Sequence, residues 1–305
     1  MGKTIKIRVP GTSANCGPGF DCLGVACTIY NELELTLLRE PGLDIAVEGE
    51  GAENIPTDER NLAWRSIQML LARLHATGDY QGAVIRMNNG VPLSRGLGSS
   101  AAAIVGALKA ANVLLGNPLD RRGLLLVATD IEGHPDNVAP AIFGGFTVSL
   151  ITKGVPESFS FLPRLPLRLV VAVPEFHLST KEARGALPSE VPLKDAVFNV
   201  GRAALLVGAL AKGNAPFLRN AFDDALHQPY RAKLIPGMYD VFDAERKAGA
   251  LGVAMSGAGP CIIAYTTKNA AAIGEKMVET FRAHGIGAYA LSLGIDKRGA
   301  YIGKE

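Results

Sequence analysis

Ile5, Ile7 and Val9 alternate with Lys6 and Arg8, the two-residue period of a strand with one buried face. Similar alternation over 33–38 and 43–47 predicts further antiparallel strands of the same sheet, with a loop rich in Gly and Cys over 10–24 after the first. The period then lengthens. Leu62, Ile67, Leu70, Leu71 and Leu74 share one face of a helix over 61–77, and Gly78 is placed to cap it. After a strand over 83–87, a Gly-rich loop runs into an Ala-rich helix for which Ser99 or Ser100 would be the N-cap. A second helix opens near Asp120 and carries Leu124, Leu125, Val127 and Ala128 toward a turn over 132–137, and a strand follows over 144–150.

Pro156, Pro163 and Pro166 punctuate the chain before the apolar strand 167–173 and place a boundary near residue 160, dividing the chain into 1–160 and 161–305. The second part reads as helices over 193–210 and 238–247, strands over 253–255 and 261–265, a helix over 270–284 and a strand over 288–293. Strands and helices alternate without a steady parallel βαβ rhythm, so the expected class is two-layer α+β.

Composition removes several function classes. Of 305 residues, 48% are hydrophobic and 20% charged, with a formal net charge of +2. That balance is ordinary for a globular protein and too weak for a nucleic-acid or anionic-membrane surface. The longest apolar runs are too short for a bilayer, and residues 1–10 carry a strand pattern instead of the apolar core of a secretory leader. The cytoplasm is the expected location. Cys16, Cys22 and Cys27 lack the close pairing of a zinc site, and free thiols are expected.

The sharpest chemical signal is Gly96-Leu97-Gly98-Ser99-Ser100 at the start of the Ala-rich helix. Glycines let the backbone approach an anion, N–H groups of a first helical turn point at it, and hydroxyls add donors. A turn that merely starts a helix would explain the glycines alone; Pro92 upstream and the small residues Ala101 to Ala103 downstream favour a phosphate cradle. The same residues fit a relaxed dinucleotide fingerprint with Asp120 near the place of its ribose-binding acid. An N-cap role explains Asp120 without that cofactor. The loop G-x-x-x-x-G-K-[ST] is absent.

Three other clusters carry candidate chemistry. Asn15 and Asp21, in the loop after the first strand, offer an amide and a carboxylate to one ligand. Glu132, His134, Asp136 and Asn137 are either solvated turn residues or a site in which Glu132 holds Mg2+ and His134 a substrate. Ser256-Gly257-Ala258-Gly259-Pro260 is either a simple turn or a loop closing over a ligand.

Taken in order, residues 10–24, 91–102 and 256–261 resemble the three motifs of the GHMP kinases, a family that includes galactokinase, mevalonate kinase and homoserine kinase. Within it, Thr12-Ser13-Ala14-Asn15, His134-x-Asp136-Asn137, Ser179-Thr180-Lys181-Glu182-Ala183-Arg184 and Gln228-Pro229-Tyr230-Arg231 are similar to clusters of the homoserine kinases. The resemblance implies a two-domain fold, ribosomal protein S5 domain 2-like and then ferredoxin-like, commonly in a homodimer. It also implies ATP-dependent phosphorylation of the L-homoserine hydroxyl, a step of threonine biosynthesis, with ATP and Mg2+. Many homoserine kinases carry a longer loop before the His-x-Asp-Asn motif; here Glu132 is two residues from His134, and Asp130 competes with it for the metal.

On that reading Pro92, Leu93, Ser94, Arg95, Gly96, Leu97, Gly98, Ser99, Ser100, Ala101 and Ala102 hold the ATP phosphates, Asn61 lies near the adenine, and Ser99 and Glu132 hold Mg2+. Homoserine is a zwitterion with a terminal alcohol. Arg184 and Arg231 suit its carboxylate, Asp21 its ammonium, and Asn15, His134 and Thr180 its hydroxyl, with Asn137 and Gly257 also expected against the substrate. Asn15, Asp21, Glu132 and Thr180 are the expected catalytic set. None is expected to be a strong base, because an Asp paired to an ammonium has a lowered pKa; the hydroxyl proton would leave to a phosphate oxygen. A GHMP kinase for another small alcohol, such as a mevalonate-pathway acid, and a non-catalytic metabolite sensor are the alternatives.

Overall fold

The computed structural model describes residues 3–303. Its first half is built from β1 (Thr4–Ala14), β2 (Leu23–Leu38), β3 (Gly42–Gly49), α1 (Leu62–Arg73), β4 (Gly82–Asn89), α2 (Ser99–Leu114), α3 (Arg121–Glu132), α4 (Pro135–Phe143), β5 (Phe146–Thr152) and β6 (Val155–Phe161). β7 (Arg168–Pro174), α5 (Thr180–Gly185), α6 (Leu193–Lys212), α7 (Ala215–Ala221), α8 (Gln228–Arg231), α9 (Met238–Lys247), β8 (Gly252–Met255), β9 (Ile262–Thr266), α10 (Ala270–Ala283), β10 (Ala288–Leu293) and β11 (Tyr301–Ile302) follow. One sheet has the order β11-β1-β2-β4-β3, with β5 and β6 joined to it through β2. The other, β10-β7-β9-β8, is antiparallel throughout.

β1 exceeds its predicted length. It crosses an irregularity between Pro10 and Gly11 and stays paired with β2 as far as Ala14 opposite Gly24, so the loop expected over 10–24 shrinks to the turn between the two strands. β3 also differs from expectation: it runs beside β4 in parallel, and β4 stands between it and β2. α1 is capped by Asn61, whose Oδ1 accepts from Ala63 N–H at 2.9 Å, and buries Trp64, Ile67, Leu70 and Leu71. It stops at Arg73, short of Gly78, because His75 turns left-handed at φ 54°.

α2 is apolar on almost every side and lies in the core against the sheet. Its small residues permit that seat: a Cβ on Gly106 would come within 3.2 Å of Val9 Cγ2. The turn expected over 132–137 is instead a junction of two helices. α3 ends at Gly133 (φ 91°) and α4 begins at once, with His134 as N-cap and Pro135 in its first turn, where a missing N–H breaks no bond.

A second core joins the two sheets. Leu23, Val25, Cys27 and Phe146 from the first pack with Leu169, Val171, Ile263 and Tyr265 from the second and with Leu206 and Leu210 of α6. α9 and α10 cover the outer face of the second sheet. All four cysteines are free. Among the described residues no helix is long and apolar enough to cross a membrane.

Candidate active site

The loop from β4 to α2 is held in an unusual backbone path. Ser94, Gly96 and Gly98 have φ of 55°, 82° and 69°. A Cβ on Gly96 would lie 2.1 Å from Ser256 O, and one on Gly98 2.0 Å from Thr12 Oγ1. The N-cap of α2 is Gly98, which offers no side chain, and neither serine takes the predicted capping place. The first-turn N–H groups therefore lack a side-chain cap, the arrangement a helix needs to receive an anion.

Neighbouring motifs fix this loop. Thr12 N–H donates to Leu97 O at 2.9 Å and Thr12 Oγ1 to Asn137 Oδ1 at 2.9 Å. Ser256 Oγ donates to Gly96 O at 2.6 Å and pairs with Ser13 Oγ at 2.9 Å. Asn15, left-handed at φ 68°, donates from Nδ2 to Gly257 O at 2.8 Å and accepts from Asp21 N–H at 3.0 Å. The turn after β1, the loop before α2, the start of α4 and the loop after β8 thus form one hydrogen-bonded assembly.

They enclose a cavity of about 230 Å³. Its lining includes Leu93, Ser94, Arg95, Gly96, Gly98, Ser99, Ser100 and Glu132, together with Asn15, Asp21, His134, Asn137, Thr180, Arg184, Arg231 and Gly257. Glu132 Oε1 accepts from Ser100 Oγ at 2.8 Å, and Arg184 grips Asp21 with both terminal nitrogens, at 3.0 and 2.7 Å.

The predicted site residues Asn61, Pro92, Leu97, Ala101 and Ala102 are not on that lining. Leu97, Ala101 and Ala102 are buried in the cores, and Pro92 faces a separate cleft beside Glu175. Asn61 has both ends of its amide engaged, Oδ1 in the α1 cap and Nδ2 donating to Pro56 O at 2.7 Å. Asp130, the alternative metal ligand, pairs with Arg73 at 3.4 Å away from the cavity.

Two family models match the chain: the GHMP kinases N terminal domain over residues 61–145 and the GHMP kinases C terminal domain over 203–285. The chain belongs to the GHMP kinase family. A homoserine kinase of Carboxydothermus hydrogenoformans is 45% identical over 96% of this chain and 95% of its own length. One of Moorella thermoacetica is 42% identical over 97% and 99%. The crystal structure of homoserine kinase from Cytophaga hutchinsonii superposes with a TM-score of 0.90 at 34% identity, covering 99% of this chain and 98% of that one. The two-domain architecture described above is therefore the GHMP kinase fold.

Burial and neighbouring charges perturb several groups of this kinase's cavity. Burial raises the pKa of Glu132, although the Ser100 hydroxyl and the charge of His134 oppose the shift. Burial also disfavours the charged form of His134, but the bond from its Nδ1 to Asp136 at 2.5 Å and the charges of Asp136 and Glu132 outweigh it and raise its pKa. Arg231 is pulled down to about 10, first by burial and then by the charge of Arg184, so it stays a cation at neutral pH.

Ser99 and Glu132 supply oxygen atoms at the α2 end of the cavity, a donor set suited to Mg2+. Ligand atoms of Asp21, His134 and Asp136 also lie within 4.8 Å of one another. The Asp21–Arg184 and His134–Asp136 pairs account for that cluster without a cation.

Phe20 and Asp136 line the cavity too and were absent from the predicted site. Asp136 is 2% exposed and orients His134; the His-x-Asp spacing was the available signal. Phe20 carries no such signal, because its role comes from residues distant in the chain: the guanidinium carbons of Arg184 and Arg231 lie 5.6 and 5.1 Å from its ring centroid.

Proposed function

We propose that this GHMP kinase transfers the γ-phosphoryl group of ATP to the side-chain hydroxyl of L-homoserine, giving O-phospho-L-homoserine and ADP, in the cytoplasm and within threonine biosynthesis. The observation that carries the reading is one cavity lined both by an uncapped helix start and by Asp21, Arg184 and Arg231. Phosphoryl transfer depends on alignment and on neutralising charge more than on covalent help. A cavity that receives phosphates beside a zwitterion supplies both.

The loop from Leu93 to Ser100 receives the phosphates through backbone N–H groups. Ser99 and Glu132 hold Mg2+, which when bound neutralises charge on the phosphate oxygens. Glu132 is favoured over Asp130 because it lines the cavity while Asp130 is engaged by Arg73. The zwitterion enters between Asp21 and Arg184: its ammonium takes the carboxylate, its carboxylate takes the guanidinium, and one salt bridge becomes two. Opening the original pair costs little, since its side chains are 36% and 38% exposed, a setting in which salt bridges are worth about 0–1 kcal/mol.

Asn15, His134, Asn137 and Thr180 surround the alcohol. Asn137 Oδ1 accepts from Thr12, which leaves Nδ2 as the donor toward the substrate. With its carboxylate committed to the substrate ammonium, Asp21 serves as an ion-pair partner, and the hydroxyl proton passes to a phosphate oxygen. The division of the chain near residue 160 remains part of this reading, supported by the change of sheet between β6 and β7. So does a homodimer; Leu193, Val197 and Val200, exposed on successive turns of α6, give it an apolar surface, and sedimentation tests it.

A coupled ADP assay against homoserine, serine, threonine and mevalonate decides the substrate. Homoserine should be preferred by a wide margin in kcat/KM. Equal or greater turnover of mevalonate, which has no ammonium for Asp21, would reject the assignment.

A further inference from the structure

Arg231 is 1% exposed yet lines the cavity. The protein uses three of its five N–H groups. Nε donates to Ala183 O at 3.1 Å; Nη1 donates to His227 Nδ1 at 3.3 Å and to Gly257 O at 3.5 Å. Nη2 has no partner among the described residues and is not enclosed as a buried orphan. Nη2 is therefore what Arg231 presents to a ligand, and the bonds from Nε and Nη1 set the plane of the guanidinium.

His227 makes one of those bonds, and its proton position follows from its partners. Nε2 lies 2.7 Å from Gly17 O, and a carbonyl oxygen accepts only, so Nε2 carries hydrogen. Arg231 Nη1 donates only, so Nδ1 must offer its lone pair. A protonated ring would set N–H against N–H. The imidazole is completely buried and stacks on Phe20 with ring centroids 5.2 Å apart. Its backbone is fixed as well: Asp224 Oδ2 accepts from the N–H groups of His227 and Gln228 at 3.0 and 2.7 Å, and Oδ1 from that of Leu226 at 3.0 Å.

We infer that His227 is a positioning residue for Arg231: neutral, with its proton on Nε2, it holds Nη1 of the guanidinium so that Nη2 meets the substrate carboxylate. The inference rests on the assignment of Arg231 to that carboxylate. Phe20 serves the same arrangement through the face of the ring, and Asp224 through the backbone and, 3.5 Å from Nε2, the ring edge.

Two substitutions separate the ring's two bonds. His227→Asn keeps an acceptor at the Nδ1 position and loses the donor to Gly17; His227→Gln keeps the donor and loses the acceptor. His227→Gln should raise KM for homoserine on the order of tenfold, the loss of one charge-assisted hydrogen bond, with kcat and KM for ATP little changed. His227→Asn should stay closer to the unsubstituted enzyme. In an Arg231→Leu background the His227→Gln increment should vanish. The opposite ranking, or the same increment in both backgrounds, would overturn the positioning role. Arg231→Leu without effect on KM for homoserine would reject the carboxylate assignment and the inference with it. Should both His227 variants fail to fold, nitrogen-labelled histidine spectra of the unsubstituted protein decide. A neutral Nε2–H ring is expected for the most slowly exchanging histidine, and an Nδ1–H or charged ring refutes the role.

Discussion

Replacing Arg184 by Leu removes the guanidinium that holds Asp21 at 3.0 and 2.7 Å. The two side chains are 38% and 36% exposed, and a pair that open contributes about 0–1 kcal/mol. Thermal unfolding should therefore shift by the equivalent of no more than about 1 kcal/mol. The effect on substrate is larger, since losing one partner of a charge pair in a desolvated site costs about 2–5 kcal/mol. Two features place this case at the low end: Arg184 is half-buried, and Arg231 keeps a second positive charge in the same cavity. The Asp21 carboxylate left without its cation attracts the ammonium more strongly, which offsets part of the loss. The expected outcome is about 2 kcal/mol, or roughly 30-fold in kcat/KM for homoserine, with KM for ATP unchanged. Homoserine amide supplies the control. It lacks the carboxylate, so Arg184→Leu should cost it only a few-fold, and the difference between the two acceptors isolates the contact. Steady-state kinetics of both enzymes on both acceptors checks this; equal losses on the two would falsify the assignment of Arg184 to the carboxylate.

Gly98→Val should abolish nucleotide binding, because its Cβ would fall 2.0 Å from Thr12 Oγ1 and φ is 69°, a region costing a branched residue about 1–2 kcal/mol; unchanged ATP affinity by calorimetry would contradict the cradle. Glu132→Gln should raise the Mg2+ concentration needed for half-maximal rate at least about tenfold, as for a lost carboxylate–cation contact, while Asp130→Asn leaves it unchanged; the reverse result would move the metal to Asp130. Glu245 is fully buried on α9 with both carboxylate oxygens unpartnered, and burial holds its pKa well above the usual 4.5. The folded state therefore keeps a proton that the unfolded chain releases. The contribution of Glu245 is complete below about pH 4.5 and is lost as pH rises toward the folded-state pKa, by about 1.4 kcal/mol per pH unit. Glu245→Met should remove that slope and stabilise the protein by about 1–3 kcal/mol above neutrality; denaturant titrations from pH 5 to 9 test it, and parallel pH profiles for the two proteins would refute it.

Much of the fold was legible in local pattern. α9 and β10 occupy the residues their periodicity marked, and Asp120 caps α3 as its place before an apolar helix implied. These elements are set by residues a few positions apart, which is the distance over which helical and strand periods operate. Where local signals were ambiguous, reading by sequence stopped early. Pro10 and Gly11 resemble the end of a strand, yet pairing with β2 carries β1 through them. The Gly133-His134-Pro135 run resembles a turn, yet Pro135 opens α4.

The chemistry of the site divides in the same way. Sequence alone determined which residue types stand at which spacing: the glycines and serines before α2, the His-x-Asp-Asn run, and the acids and arginines able to meet a zwitterion. Only the tertiary structure decided which of them share a cavity. It put Glu132 on the lining and Asp130 outside, engaged Asn61 as a helix cap, joined Asp21 to Arg184 across 163 positions of chain, and used three donors of Arg231 to leave one nitrogen free. The physical reason is that side-chain identity is local, whereas desolvation and hydrogen-bond satisfaction belong to whatever the folded chain brings within a few ångströms.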